Sequence, residues 1–397
     1  MSSSYRLRNL TKPEVLKQIT FELLAEFLQS NDTFVPYLRN RGLRWTTVQA
    51  DFDFMQLARI LKSPDQDTPE PLLDALYLVD KLAGGEFQER IESECEQAGI
   101  DLSRCQTDQD HVLAAWLANP RILERIHAEQ YRTKHNKFES FFTSRRAPLD
   151  PAMLTADLLG KIEGELDAFY EYRKKGRGSR VLAFSYNKEI WFLVRHGERI
   201  RREGTMKVDG ESDSIYFRPE KFDVLIYYPE TGELAIHTNT KGELAAYCRI
   251  VGRNVFGDPK IFVTEPPIAK YTLQPLIDHG RQALACADIP GIKRLQLAEL
   301  QIRHHSDQKD IEIRRCDDAL RALAEHKRNL ADEADSIELI RAKFKIKYAA
   351  GGTETITIEP PNIASFDRDM HNALIHEWLV ERGFICLPQF AKVAEVA

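Results

Sequence analysis

The side chains with the clearest chemical use in this 397-residue chain are cationic. Residues 173–207 carry eleven lysines and arginines against three glutamates, a local net of +8. Clustered cations neutralise phosphates and release counterions, which gives binding indifferent to sequence and sensitive to salt. Arg177, Arg180, Arg195, Arg199, Arg201 and Arg202 are therefore candidate nucleic-acid contacts. Tyr172, Tyr186, Trp191 and Phe192 are interleaved with them and could stack on the bases of a single strand. A second row, Arg341, Lys343, Lys345 and Lys347, recurs with period two. That spacing puts all four charges on one face of a strand, about 7 Å apart. Such a face must meet an anion or guard a sheet edge, so Lys343, Lys345 and Lys347 join the candidates.

Catalytic signatures are sparse. The phosphate-loop pattern, G-x-S-x-G and H-E-x-x-H do not occur. Arg195-His196-Gly197 matches only the tripeptide of the histidine phosphatases, and it lies inside a run of strands instead of ending a first strand. His371 and His376 are five residues apart, about 140° round a helix, and cannot chelate together. The six cysteines are scattered without C-x-x-C, as expected of reduced thiols, and no resident metal is expected. One arrangement has enzymatic form. Asp223 opens an apolar strand, the turn Glu230-Thr231-Gly232 leads to a second strand ending in Asn239-Thr240-Lys241, and a helix bearing Glu163 and Glu165 comes before them.

Over residues 155–255 this order resembles the core of the PD-(D/E)XK nucleases, where a helix precedes a hairpin carrying Asp and then Glu-x-Lys. The resemblance implies a Mg²⁺ ion held by two carboxylates and a lysine that positions or activates water. Asp223, Lys241, Asn239 and Glu163 are the candidate site residues on that reading. Asn239 stands where the family has Glu and brings an oxygen without charge, which weakens the attraction for the ion. A degenerate relative that binds nucleic acid without cutting it is the other form of the same resemblance.

The elements that must position these residues change character twice along the chain. Residues 1–137 read as a helical domain. A Thr11–Glu14 capping box leads into a stripe of Val15, Ile19, Leu23 and Phe27, further helices begin near Pro69 and Pro120, and Gly84-Gly85 ends one of them. Residues 138–265 read as a central, mostly antiparallel α+β domain. A helix with Leu158, Ile162 and Leu166 is followed by strands near 180–186, 189–195, 214–217, 222–228 and 233–238, then by a helix from Lys241. The first two of these strands are joined through Asn187-Lys188. Residues 266–397 read as a small C-terminal α/β module of strand, helix, hairpin through Gly351-Gly352 and final helix, with a fraying end at 391–397. The whole is an α+β multidomain chain.

Charge is segregated along this order. The formal net is −6, yet residues 51–110 hold fifteen acids against five bases, a local −10. The start of the chain lacks an apolar signal segment and no run is long enough to span a membrane, so a cytoplasmic protein without membrane contact is expected. The leading expectation is a non-catalytic nucleic-acid-binding component, as would suit bacterial genome defence or DNA maintenance. A metal-dependent nuclease is the enzymatic alternative. An oligomeric scaffold, self-associating or binding protein partners through the acidic helical domain, is the third.

Overall fold

The computed structural model describes residues 7–8, 10–65, 67–129, 135–186, 188–207, 209–308, 310–367 and 371–386. Asn187 and the 391–397 tail lie outside them. The chain packs as two compact units, Met1–Gln130 and Tyr131–Ala397. No helix among the described residues is long and apolar enough to cross a membrane.

The first unit is helical: α1 (Pro13–Gln18), α2 (Phe21–Gln29), α3 (Phe34–Asn40), α4 (Phe54–Lys62), α5 (Glu70–Leu82), α6 (Gln88–Gln97), α7 (Asp108–Ala118) and α8 (Pro120–Glu129). Leu16, Phe27, Leu57, Val79, Val112 and Leu123 meet in one core. The expected Thr11–Glu14 capping box does not form, because α1 starts after Lys12 without a side-chain cap. The expected stripe from Val15 to Phe27 is split between α1 and α2 at Thr20. There the Thr20 N–H donates to Asp110 Oδ1 at 2.8 Å. Asp110 also completes a capping box with Thr107 at the start of α7, and Asp80 accepts from the backbone N–H of Leu10 at 2.9 Å. Several acids of the −10 segment thus point inward and hold turns, leaving fewer for an external partner than the sequence count suggests.

The second unit contains β1 (Lys137–Phe142), α9 (Ala156–Tyr172), β2 (Arg180–Tyr186), β3 (Glu189–Gly197), β4 (Arg201–Met206), β5 (Ser212–Phe217), β6 (Glu220–Tyr228), β7 (Glu233–His237) and α10 (Lys241–Phe256). There follow α11 (Gln274–Asp278), β8 (Ile292–His304), β9 (Ile311–Arg315), α12 (Ala319–Glu325), β10 (Ile337–Tyr348), β11 (Thr353–Glu359), β12 (Ile363–Ser365) and α13 (Asn372–Glu381). Ten strands form one sheet in the order β2-β3-β6-β7-β1-β12-β11-β10-β8-β9, and β4-β5 form a separate pair. All pairings in the large sheet are antiparallel. The chain is therefore mixed α+β, and the C-terminal part is antiparallel where an α/β module was expected.

Two cores lie along this sheet. Ile162, Leu166 and Tyr170 of α9 and Tyr247, Ile250 and Val251 of α10 pack on Phe192, Leu225 and Ile236. Leu276, Leu323, Trp378 and Leu379 pack on Leu297, Phe344 and Ile356. The boundary expected after residue 265 falls between these two cores, but the sheet runs unbroken across it. The strand that joins them is β1, unread in the sequence, which pairs with β7 on one side and β12 on the other.

A buried ion pair sits at this seam. Lys270 Nζ lies 2.6 and 2.8 Å from the two carboxylate oxygens of Glu233, and Ser140 Oγ of β1 donates to Glu233 Oε1 at 2.6 Å. Lys270 and Glu233 are both buried, so removing one leaves the other desolvated without its counter-charge. Lys270→Met is expected to cost about 3–5 kcal/mol in urea unfolding. Lys270→Met with Glu233→Leu is expected to recover most of that loss.

Candidate functional site

The strand period decides which polar groups of the central region turn inward. In β3, His196 continues the face of Ile190, Phe192 and Val194, and in β6 Asp223 continues that of Leu225 and Tyr227; all of these apolar residues belong to the core beneath α9 and α10. His196 and Asp223 are both buried. Thr240 caps α10 and accepts from the Glu243 N–H, which fixes Glu243 in the first helical turn. Glu243 and Tyr247 are four apart and share one helix face. The chain leaving α9 passes through Lys174 in the left-handed region (φ 61°) and delivers Lys175 to the same place.

These groups form one ion cluster. Asp223 Oδ2 accepts from Tyr247 Oη at 2.7 Å and lies 3.2 Å from His196 Nε2. Lys221 Nζ is 2.6 Å from Asp223 Oδ1 and 4.0 Å from Glu243 Oε2. Lys175 Nζ lies 2.5 Å from Glu243 Oε1. Thr238 Oγ1 sits 2.8 Å from Asp223 Oδ2 and 2.7 Å from Glu243 Oε2, so its one proton serves either carboxylate but not both at once. Tyr170 Oη reaches Tyr247 Oη at 2.5 Å, and its ring stacks on His196 at 4.1 Å between centroids. His196 faces an acceptor with each ring nitrogen, Asp223 at Nε2 and the Gly197 carbonyl at Nδ1 (3.0 Å).

Burial alone would push the Asp223 carboxyl up. The His196 hydrogen bond and the Lys221 ammonium more than offset it and hold the group well below the usual carboxylate range. Glu243 is likewise pushed up by burial and brought below its ordinary value by Lys175 and Thr238. Burial raises the phenols of Tyr170 and Tyr247, with the Asp223 charge adding to it, so both stay protonated donors.

His196, Asp223 and Glu243 each place one ligand atom within 4.8 Å of the others. Histidine with two carboxylates suits a transition-metal ion, but the cationic positions are already filled. Lys221 lies between the two carboxylates, and Lys175 closes the other side of Glu243. Two ammonium groups balance two carboxylates, and a metal would have to displace Lys221. As it stands, the cluster cross-links β3, β6, α9 and α10.

The residues expected from the nuclease resemblance do not assemble around Asp223. Glu163 binds the Val181 N–H at 2.9 Å and Arg180 at 3.2 Å. Asn239 and Lys241 are exposed, and the charge of Lys241 acts on Glu139 of β1. The second carboxylate at Asp223 is Glu243 and the lysine is Lys221. Both could have been found, Lys221 from the alternation of β6 and Glu243 from the Thr240 capping pattern.

The candidate cations divide in the same way. Arg177, Arg180 and Arg195 pair with Glu171, Glu163 and Glu220. Arg201 pairs with Glu198, while Arg199 and Arg202 are exposed. Trp191 and Phe192 are buried and cannot stack on bases, which removes two of the four aromatic residues expected from the sequence, while Tyr172 is exposed. The lysine row lies on β10, between β8 and β11, so it guards no edge. Lys343 is held by Glu299 at 3.0 Å, and Glu299 also takes Arg315 at 2.6 Å. Burial would raise Glu299, but these partners bring it down to about 2.

Lys345 and Lys347 are exposed. Across the sheet Lys347 sits opposite Arg294 on β8 and Thr353 on β11, and Lys345 opposite Gln296 and Thr355. Among the described residues no ion pair involves Arg294, Lys345 or Lys347. Comparison of the chain with protein-family models and with curated proteins finds no match.

The Asp223 carboxyl has a lower pKa folded than unfolded. Its stabilising contribution is complete above about pH 4 and is lost as pH falls toward the depressed folded value. Wild-type stability in urea is expected to drop steeply below about pH 4, and Asp223→Asn is expected to flatten that drop. Equal slopes in the two proteins would remove Asp223 from the account.

Proposed function

We propose that the protein is a non-catalytic nucleic-acid-binding component that contacts phosphate backbones through the exposed face of β8, β10 and β11 in its large sheet. The observation that carries this reading is the row of Arg294, Lys347 and Lys345. Like charges directly opposite on neighbouring strands destabilise a sheet. Arg294 and Lys347 nevertheless face each other in register on an exposed surface, with Thr353 and Thr355 adding hydroxyl groups alongside. A polyanion relieves that repulsion. With Trp191 and Phe192 in the core, the contact is to phosphate and sugar and carries little sequence information. A place in genome defence or DNA maintenance is compatible with such binding.

At low salt, fluorescence anisotropy is expected to show retention of DNA or RNA regardless of sequence. Lys345→Gln and Lys347→Gln are each expected to reduce the slope of log affinity against log salt by about 0.9 for a duplex. The charge reversals Lys345→Glu and Lys347→Glu are expected to weaken binding further. No retention at low salt, or retention unchanged in the double reversal, overturns the reading.

A second reading, a metal-dependent nuclease, is favoured by the convergence of His196, Asp223 and Glu243. It requires Lys221 to leave the site. On the leading reading, varied DNA and RNA stay intact with Mg²⁺ or Mn²⁺. Cleavage that is lost in both Asp223→Asn and Glu243→Gln would put the nuclease in its place.

A further inference from the structure

The β4-β5 pair lies outside the large sheet and, among the described residues, no third strand joins it, so its outer edges are open. Its base is firmly held. The Arg218 guanidinium donates to the Lys174 carbonyl at 2.9 Å and to the Glu198 carbonyl at 2.8 Å. Gly197 makes room for it, since a Cβ there would collide with Arg218 Cδ and stand 2.7 Å from the Lys175 carbonyl oxygen. Beyond the base the arm is uncovered, with Met206 75%, Tyr216 69% and Ile215 50% exposed. Three consecutive apolar residues, Ile215, Tyr216 and Phe217, lie on one exposed strand. A strand guarded against association would carry charge there instead.

Charge on the arm is ordered along its length. Arg199, Arg201, Arg202 and Arg218 outnumber Glu198 and Glu203 at the base, and Asp209, Glu211 and Asp213 outnumber Lys207 at or next to the tip. A nucleic acid laid along the arm would be attracted at one end and repelled at the other. A second arm laid antiparallel sets a net-positive base against a net-negative tip at both ends, which is the self-complementarity of a two-fold interface.

We propose that the arm is a self-association element, pairing base against tip with the arm of a second copy of this chain. Strand addition at the open edges supplies main-chain hydrogen bonds, Met206, Ile215 and Tyr216 supply apolar area, and the charge gradient sets the antiparallel direction. The proposal is independent of the nucleic-acid reading, because its occupant is protein.

Light scattering over a concentration series, on protein freed of nucleic acid, tests it. Wild type is expected to pass from monomer to dimer, with weaker association at high salt. The base reversal (Arg199→Glu, Arg201→Glu, Arg202→Glu) and the tip reversal (Asp209→Lys, Glu211→Lys, Asp213→Lys) are each expected to weaken dimerisation by roughly tenfold or more. Mixing the two is expected to restore it, since a net-negative arm then meets a net-positive one. Wild type that stays monomeric throughout overturns the proposal. So does a dimer that persists unchanged in each reversed variant, or a mixture that associates no better than its components.

Discussion

The central half of the second unit is organised around one buried charge. The Asp223 carboxylate cannot be desolvated without compensation, because an unpaired ion in the interior costs several kcal/mol. Compensation comes from every element nearby: His196 from β3, Lys221 from β6, Thr238 after β7, and Tyr247 from α10. Each of these contacts requires the strand or helix that carries it to sit at a defined height and rotation. Hydrophobic packing of α9 and α10 on the sheet tolerates small shifts, whereas a network with directional donors does not. The cluster is thereby a positioning device for the helices, whether or not it has any chemistry of its own.

The same logic separates two kinds of positive charge. Lys175, Lys221, Lys270 and Lys343 each neutralise a buried or half-buried carboxylate. Their ammonium groups are committed to the fold. Arg294, Lys345 and Lys347 are solvent-facing and add a surplus on an open sheet face, while Arg199, Arg201 and Arg202 lie at the base of a projecting arm. The latter two groups face solvent, with Arg201 paired to Glu198, and their surroundings suit different partners: hydroxyls beside the first, carboxylates at the far end of the arm beside the second.

Much of the element order was legible from local pattern. The hairpin of β2 and β3, the helix from Lys241 and the lysine-bearing strand β10 follow from alternation, capping and period. β1 and β12 were not legible, because a short strand that joins two halves of a sheet is recognisable only by its distant partners. Nor were β4 and β9, whose side chains are largely exposed and show no strong apolar alternation. The candidate site was half legible. Asp223 stood out as an acid in an apolar strand, but Lys241 and Asn239 were chosen by proximity in sequence when Glu243 and Lys221 are the neighbours in space.

The sequence by itself determined the helical first unit, the mostly antiparallel character of the central region and the segregation of charge along the chain, because these depend on periodicity and composition within short windows. Tertiary structure alone decided that the central and C-terminal segments share one ten-stranded sheet, because β1 pairs with β7 and with β12, whose residues lie far from it along the chain. It also decided which cations are spent inside and which remain outside. A lysine looks the same in sequence whether its ammonium meets a buried carboxylate or water. Burial and the neighbour across the strand make that distinction, and both belong to the folded chain.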